Sequence, residues 1–332
     1  MLVKSQRGAP EDGYCCRRLI VSLALCCCCL VGFAQEKGPA NSRLPSTDTE
    51  LKFWLNNMVR LHGFSTEEVV QATGLTAEAV TMWLERFQID REAFPSKRAG
   101  LLMRPYPGGR HPRIGFLDGA IRPQRETKIS VFTPWAEQDY VVIDVPEALW
   151  SNLGLTYLAH THVETVFDKQ GVELRTLEWE RCSEDSLNLK RVLPNGIVYE
   201  CRVRCHSDHV RMQLQLTNDT KHELTDLRVQ NCVMLKAAQG FNAQSNENKT
   251  THGTYAVCCS DDGKRYMITA WTPLHRVWFN ERCPCLHSDP VFPDCDPGQT
   301  VFVEGWFSFY EGENLEEEIR RIESLDWEQS FE

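Results

Sequence analysis

Alternating apolar and polar residues dominate positions 113–310 and predict β-strands. In one such run Met212, Leu214 and Leu216 share one face, and the residues between them, all polar, share the other. Comparable runs occupy 128–131, 140–145, 158–167, 172–179, 197–206, 224–235, 255–259, 266–271 and 301–310. So many consecutive strands without intervening helices predict a mainly β protein built on a large antiparallel β-sandwich.

Helical patterns flank the predicted sandwich. Ser65 and Glu68 form a capping box, and Thr76 can cap a second helix, so that 62–89 has the pattern of a helix-turn-helix unit. An acidic helix closes the chain. The predicted organisation is a signal peptide at 1–34, a flexible linker at 35–46, a small N-terminal helical (helix-turn-helix-like) module at 47–95, the β-sandwich at 96–313 and the acidic C-terminal helix at 314–332.

The first 34 residues have the pattern of an export signal. Arg17 and Arg18 precede an apolar run at 19–31, which is too short to span a bilayer comfortably and ends in Gly32-Phe33-Ala34. We therefore expect an exported protein, periplasmic or extracellular. Retention of the segment as an uncleaved membrane anchor is the alternative, and only then would the protein contact a membrane.

Charge excludes a nucleic-acid partner. The formal net charge is -10, and the second predicted helix of the helix-turn-helix unit offers Glu78 and Glu85 but only Arg86 to a polyanion. The helical module is then a packing unit or a docking site for a partner, such as a protein of the cell envelope.

Cysteines are numerous, and their interpretation depends on the compartment. Six of the 15 fall within the predicted signal, which leaves nine, an odd number. In a reducing compartment the cluster at 283–295 would suggest a metal site, although it lacks the two-residue separation common in zinc ribbons. For an exported chain we predict a disulfide from Cys283 or Cys285 to Cys295, which would pin a loop that displays His287, Asp289 and Asp294.

A second candidate site is the row formed by His160, His162 and Glu164. In a strand the two-residue spacing places all three on one face, where they could hold a divalent transition metal. The alternative is a solvent-facing row with no ligand. His275 is a further candidate for a catalytic base.

A net-positive island lies at 104–128 and suggests an anionic ligand. Its cations are Arg104, Arg110, Arg113, Arg122, Arg125 and Lys128, with His111 among them. Guanidinium groups bind carboxylate and sulfate, so an acidic or sulfated glycan is a sensible ligand, unless these arginines pair with acids of the chain itself. Gln230 and Asn231 stand in an apolar strand, where they must either hydrogen-bond internally or face a pocket, and together with Lys236 they are candidate binding residues. Six tryptophans supply either core or sugar-stacking surface: Trp135, Trp150, Trp179, Trp271, Trp278 and Trp306.

Two resemblances to known families add to these patterns. The run 187–235, in which a strand ends in Leu216-Thr217-Asn218-Asp219-Thr220, resembles the supersandwich of galactose-mutarotase-like proteins. This resemblance implies sugar binding, with a histidine and a glutamate as acid and base that it does not assign to positions here. Through 105–113 and 230–236 the chain also resembles exported proteins of planctomycete-type bacteria, which implies no activity.

Three functions remain open from the sequence. The first is an exported carbohydrate-binding or carbohydrate-processing sandwich, in which His160, His162, Glu164 and His275 are the candidate catalytic residues. The second is a non-catalytic interaction protein of the periplasm or cell envelope. The third is a metal-dependent oxygenase built on the row of His160, His162 and Glu164.

Overall fold

Two antiparallel sheets form the body of the protein in the computed structural model, which describes residues 42–91, 100–108, 126–159, 163–329 and 331. The first sheet has the order β1-β2-β3-β9-β14-β13, with β4 paired to β3, and the second has the order β10-β11-β12-β15-β8-β7-β6-β5. The strands are β1 Leu102–Pro105, β2 Lys128–Phe132, β3 Tyr140–Ser151, β4 Gly154–Leu158, β5 Glu180–Arg181, β6 Ser186–Val192, β7 Ile197–Cys205, β8 His209–Asn218, β9 Val229–Met234, β10 Lys249–His252, β11 Tyr255–Cys259, β12 Arg265–Thr272, β13 Leu274–Phe279, β14 Cys285–Pro290 and β15 Thr300–Glu311. The predicted β-sandwich is confirmed.

The space between the sheets holds the main core. Period-two alternation turns one set of side chains of each strand inward, so that Met212, Leu214 and Leu216 of β8 are buried while Gln213 and Gln215 between them are half-buried. The facing residues of the first sheet include Ile129, Val131, Val141, Ile143 and Val233. This burial of apolar area is the main source of the fold's stability.

Three short helices cover part of the outer face of the first sheet. They are α1 Asp48–Asn56, continued by a π-helical turn at Asn57–Leu61, α2 Thr66–Thr73 and α3 Ala77–Phe87. α2 and α3 begin at the predicted caps, which are the reciprocal capping box of Ser65 and Glu68 and the side chain of Thr76. Their apolar residues pack with Phe132, Tyr140 and Val142 of the sheet. The hydrogen bond of 2.7 Å between His62 Nε2 and Ser130 Oγ joins the two layers.

The outer face of the second sheet is covered by α4 Leu315–Glu323 and the turns that follow it. Ile319, Ile322 and Trp327 pack on Tyr255 and Trp306 of the sheet. The predicted C-terminal helix is therefore present, and it serves to seal this face.

Three sequence predictions of local structure are wrong. The run 158–167 is not one strand, because β4 ends at Leu158 and residues 163–167 are irregular and lead into a 3₁₀ turn at Asp168–Gln170. No strand forms at 172–179. The supposed loop at 283–295 contains β14, which lies between β9 and β13.

The predicted signal peptide and most of the predicted linker lie outside the described residues. Within the described ranges, no helix has the length and apolar character needed to cross a membrane.

Candidate functional site

A cavity of about 380 Å³ opens on the outer face of the first sheet. Its walls come from β3, β4, β9, β13, β14 and the segments beside them. The lining residues are Glu147, Trp150, Leu155, Leu158, Val163, Glu164, Lys169, Gln230, Cys232, Trp278, Asn280, Cys283, Cys285 and His287. Its size falls at the lower end of the range of about 300–1,000 Å³ typical of small-ligand pockets.

An irregularity in β3 brings a carboxylate to this cavity. Asp144 pairs with Cys232 and Ala148 pairs with Gln230, so three residues of β3 stand opposite Asn231 alone. Such bulges bend a strand and redirect its side chains. Glu147 belongs to the bulge, and its Oε2 accepts a hydrogen bond of 2.7 Å from Gln230 Nε2.

The central strands β9 and β14 bring two thiols and an imidazole together. Leu286 pairs with Val233, and since side chains alternate, Cys285 and His287 share the outer face with Cys232. Cys285 Sγ lies 3.1 Å from His287 Nε2. The ligand atoms of these three residues all lie within 4.8 Å of one another, and all three side chains are buried.

The imidazole of His287 is held in one orientation. Its Nδ1 lies 2.7 Å from the carbonyl oxygen of Asn231, which can only accept, so Nδ1 carries the proton. The ring stacks on the Trp278 indole, with centroids 3.9 Å apart and planes inclined by 15°. The Nε2 atom therefore faces Cys285.

Asp289 holds these supports in place. Its Oδ1 accepts from the Asn231 backbone N–H at 3.1 Å, and its Oδ2 accepts from Trp278 Nε1 at 2.7 Å and from Arg276 Nε at 2.9 Å. Its oxygen also lies 4.0 Å from His287 Nδ1, as does Oε2 of Glu147. One buried carboxylate thus fixes both the stacked indole and the strand segment that orients the histidine.

The electrostatics of the site favour a negative charge on the sulfur of Cys285 and a positive charge on the imidazole of His287. Hydrogen bonds from Cys232 and Cys283, together with His287, lower the pKa of Cys285 well below its usual value despite burial. Burial alone would lower the pKa of His287, but Cys285 and Glu147 raise it to about 9. Burial raises the pKa of Glu147 to about 7, and His287 opposes that rise.

Several sequence-predicted site residues come together here. Gln230, His287 and Glu164 line the cavity, although Glu164 stands in an irregular, exposed segment rather than on the predicted strand. Asp289 lies beneath the site and is 1 % exposed, so it is not displayed on a loop. Asn231 contributes its backbone, while its buried side chain faces the inner side of the sheet.

Other predicted residues lie elsewhere. His275 is exposed at a register shift in β13, and Lys236 is exposed just after β9; neither lines the cavity. A further group lies outside the described residues: His160, His162, Arg110, His111, Arg113, Arg122 and Arg125. The histidine row and most of the arginine island therefore stay predictions.

The predicted disulfide is not formed. The described part of the chain contains nine cysteines, and all are free thiols. Cys285 points to the outer face of the first sheet, whereas Cys295 lies beside the core between the sheets, where its Sγ donates to the Gln299 carbonyl at 3.4 Å. Cys285 faces outward on β14, and Cys295 lies beyond the end of that strand and faces the interior, so the two sulfurs that the sequence prediction joined stay apart.

Sequence reasoning missed Glu147 and the role of Cys232. The signal for the first was present: Pro146 interrupts an apolar strand, and proline inside a strand marks a bulge or an edge. Of the six tryptophans, Trp150 and Trp278 line the cavity, while Trp179, Trp271 and Trp306 are buried.

Comparison with known proteins adds little to this geometry. No family model matches the chain, and no curated protein matches its sequence. Similar solved structures include a putative aldose 1-epimerase from Escherichia coli K12, with 11 % identity and a TM-score of 0.33 over 53 % of this chain and 84 % of that one. A putative kojibiose phosphorylase from the human microbiome has 5 % identity and a TM-score of 0.35, over 70 % of this chain and 35 % of that one. A mutant heparan sulfate lyase from Pedobacter heparinus has 7 % identity and a TM-score of 0.32, over 83 % of this chain and 44 % of that one.

At these identities and TM-scores the similarities give no ground for assigning an activity. No finding supports the resemblance to exported planctomycete-type proteins.

Proposed function

We propose that the cavity on the first sheet binds a carbohydrate and that the protein binds or processes sugars there. The observation that carries this proposal is the make-up of the cavity lining, which combines the Glu147 carboxylate and the Gln230 amide with two indoles, Trp150 and Trp278. Sugars offer hydroxyl groups at their edges and apolar C–H faces. Carboxylates and amides bind the former, and aromatic surfaces bind the latter.

The size of the cavity limits the ligand. At about 380 Å³ it accommodates one or two sugar rings rather than a long chain segment. Asn280 and Glu164 add further polar groups to its rim, and Leu155 and Leu158 add apolar wall. In an enzyme, Glu147 is the side chain that would exchange a proton with the bound sugar, because its carboxylate is the one placed at the bulge.

Whether the cavity would bind a neutral or an anionic sugar depends on the segment that carries the arginine island. Among the described lining residues Lys169 is the lone lysine or arginine, whereas two glutamates, Glu147 and Glu164, line the same cavity. An acidic or sulfated glycan would therefore need the arginines of 110–125 at the cavity mouth. Binding that weakens as salt is raised would support such a ligand, and binding that ignores salt would point to a neutral sugar.

A screen against a glycan array, followed by calorimetry on the best ligand, tests the proposal. Glu147→Gln should lower affinity roughly tenfold or more, because a charged hydrogen bond is worth about 1.5–3 kcal/mol. Glu304→Gln is the matched control, since Glu304 also accepts a hydrogen bond of 2.7 Å from a glutamine, Gln213, but stands on the second sheet. Ligand binding that survives both Glu147→Gln and Trp150→Ala unchanged would refute the cavity as the sugar site.

The helical module gives less support to the interaction protein as the main function. Its apolar residues Trp54, Leu55 and Met58 are buried against the first sheet, so they are not offered to a partner. The expectations of export and of a partner in the cell envelope depend on the N-terminal segment alone. Mass spectrometry of the protein secreted by its host, read for a start after Ala34, tests that expectation.

A further inference from the structure

We propose that Cys232, Cys285 and His287 form a binding site for a divalent transition metal ion of the zinc class, with its fourth coordination position open to the cavity. Two thiolates and one imidazole make a ligand set that suits zinc. This site is independent of whether the cavity ligand is a sugar.

Distances between the three ligand atoms are near those around such an ion. Tetrahedral zinc, with bonds of about 2.3 Å to sulfur and about 2.0–2.1 Å to nitrogen, keeps its ligand atoms about 3.5–3.8 Å apart. The three atoms here lie within 4.8 Å of one another, and Cys285 Sγ and His287 Nε2 are 3.1 Å apart. Small side-chain rotations therefore suffice to seat the ion.

The surroundings of His287 are those of a metal-binding histidine. Its Nδ1–H donates to the Asn231 carbonyl, which leaves Nε2 as the nitrogen that faces the sulfurs and that would bind the ion after releasing its proton. A histidine that binds a metal through one nitrogen usually donates its other N–H to a carbonyl or carboxylate, which fixes the tautomer. Stacking on Trp278 then fixes the plane of the ring.

The backbone beneath the site is rigid. Cys232 belongs to β9 and the other two ligands belong to β14, and these strands are hydrogen-bonded neighbours in the middle of the first sheet. Ligands on paired central strands are held more firmly than ligands on loops. The geometry thus exists before any ion binds.

An open coordination position distinguishes this site from a structural one. Structural zinc sites have four protein ligands, whereas catalytic sites have three and leave one position for water or substrate. Cys283 lines the same cavity, but its Sγ lies outside the group of three, 3.9 Å from Met234 Sδ. The fourth position therefore faces the cavity that also contains Glu147.

Metal analysis of the full chain tests the site. The protein, purified under reducing conditions and equilibrated with zinc, should hold about one tightly bound ion per chain by elemental analysis. Cobalt in place of zinc should give the absorption of a tetrahedral centre, with charge-transfer bands for two thiolates. Zinc should also protect two thiols from an aromatic disulfide reagent in the wild-type protein.

Substitutions identify the ligands. Cys285→Ser and His287→Ala should weaken zinc binding by more than roughly 100-fold, beyond the loss typical of supporting residues. Cys258→Ser, which removes a buried free thiol from the second sheet, is the matched control and should retain the ion. His287→Cys supplies a variant that should still bind, with a third thiolate band for cobalt, if the alanine variant fails to fold.

Three results would overturn the proposal. They are a wild-type protein that binds no zinc, a cobalt spectrum without thiolate bands, and thiols whose reactivity zinc does not change. Loss of the ion in Cys283→Ser would mean a closed four-ligand site and would refute the open position. Glycan binding is measured in parallel on chelator-treated protein, so that failure of the metal site and failure of the sugar site are read separately.

Discussion

The two outer faces of the sandwich both pack against helices through apolar clusters, but on the first sheet a group of buried thiols, an imidazole and carboxylates lies beside the apolar contact. Under α4 the second sheet presents Tyr255, Ile268 and Trp306, and these pack against Ile322 and Trp327 in a continuous apolar layer. Under and beside α1 to α3 the first sheet presents thiols, an imidazole and carboxylates around a cavity. The apolar layer under α4 seals its part of the second sheet, whereas the first sheet leaves a cavity open beside its helices.

The difference comes from the strands rather than from the helices. β12 pairs with β15 along its full length without a register shift, so the outward side chains of the two strands form an even surface that one helix can cover. β3 is interrupted by its bulge beside β9, which displaces Glu147 from the regular pattern. The regular pairing of β12 with β15 thus supports apolar packing that stabilises the fold, whereas the irregular pairing of β3 with β9 places a carboxylate in the cavity.

The largest expected effect is on the sealed face. Trp306→Ala removes an indole that is 1 % exposed and should cost about 3–5 kcal/mol of unfolding free energy, because a large cavity replaces it. Urea denaturation measures the loss. Trp278→Ala, on the half-buried indole of the open face, should cost clearly less while abolishing ligand binding in the cavity. Equal destabilisation by the two variants would remove the contrast between the faces.

An intermediate effect is expected from the support beneath the cavity. Asp289→Asn leaves an N–H group facing the donors of Arg276 and Trp278, and should cost about 1–3 kcal/mol in denaturation. As a positioning residue for His287, it should also lower zinc affinity about 10–100-fold. Asp294→Asn, on the exposed part of the same segment, is the control and should change neither quantity. A stable Asp289→Asn protein with normal zinc affinity would show that the Asp289 carboxylate does not position His287 for metal binding.

The smallest expected effect is a pH dependence on the sealed face. His209 lies between His206 and Trp306 in a stack of rings, with centroids 4.4 Å and 4.0 Å apart. Burial lowers the pKa of both histidines, and Arg211 lowers it further, while Asp208 opposes the shift. The folded protein therefore prefers the neutral rings, and their contribution is fully present above the ordinary pKa of about 6.5 and is lost as pH falls below it.

Unfolding in urea at pH 7.5 and 5.5 measures this contribution. His209→Phe retains a ring on Trp306 without a proton to gain, so it should lose less stability between the two pH values than the wild-type protein. His287, whose pKa is raised, is common to both proteins and cancels in the comparison. An identical loss in both would show that the stack does not titrate.

The fold was largely predictable from the sequence because burial acts on every second residue of a strand. The alternation at 211–216 predicted β8, and the capping box at Ser65 and Glu68 predicted α2. β14 was missed because its outward residues Cys285, His287 and Asp289 are polar yet buried, so that its composition is typical of a loop. Only the pairing with β9 and β13 makes it a strand.

The site was less predictable because strand pairing assembles it. Cys232 and Cys285 are far apart in sequence, and their proximity follows from the sheet order, which no local pattern specifies. His287 was singled out by its neighbours in sequence, but its role depends on the Asn231 carbonyl and on Trp278. Glu147 depends on a bulge that Pro146 suggested without locating its partner strand.

The order of strands in the first sheet also sets how the protein folds. β3 and β9 are hydrogen-bonded neighbours, although β4 to β8 lie between them in the chain. Closing so long a loop costs entropy before any contact repays it, and chains rich in such distant pairings fold slowly. The β5 to β8 meander, with short connections, can form early, whereas the β3–β9–β14 junction must wait. The cavity is therefore expected to be among the last parts of the molecule to take shape.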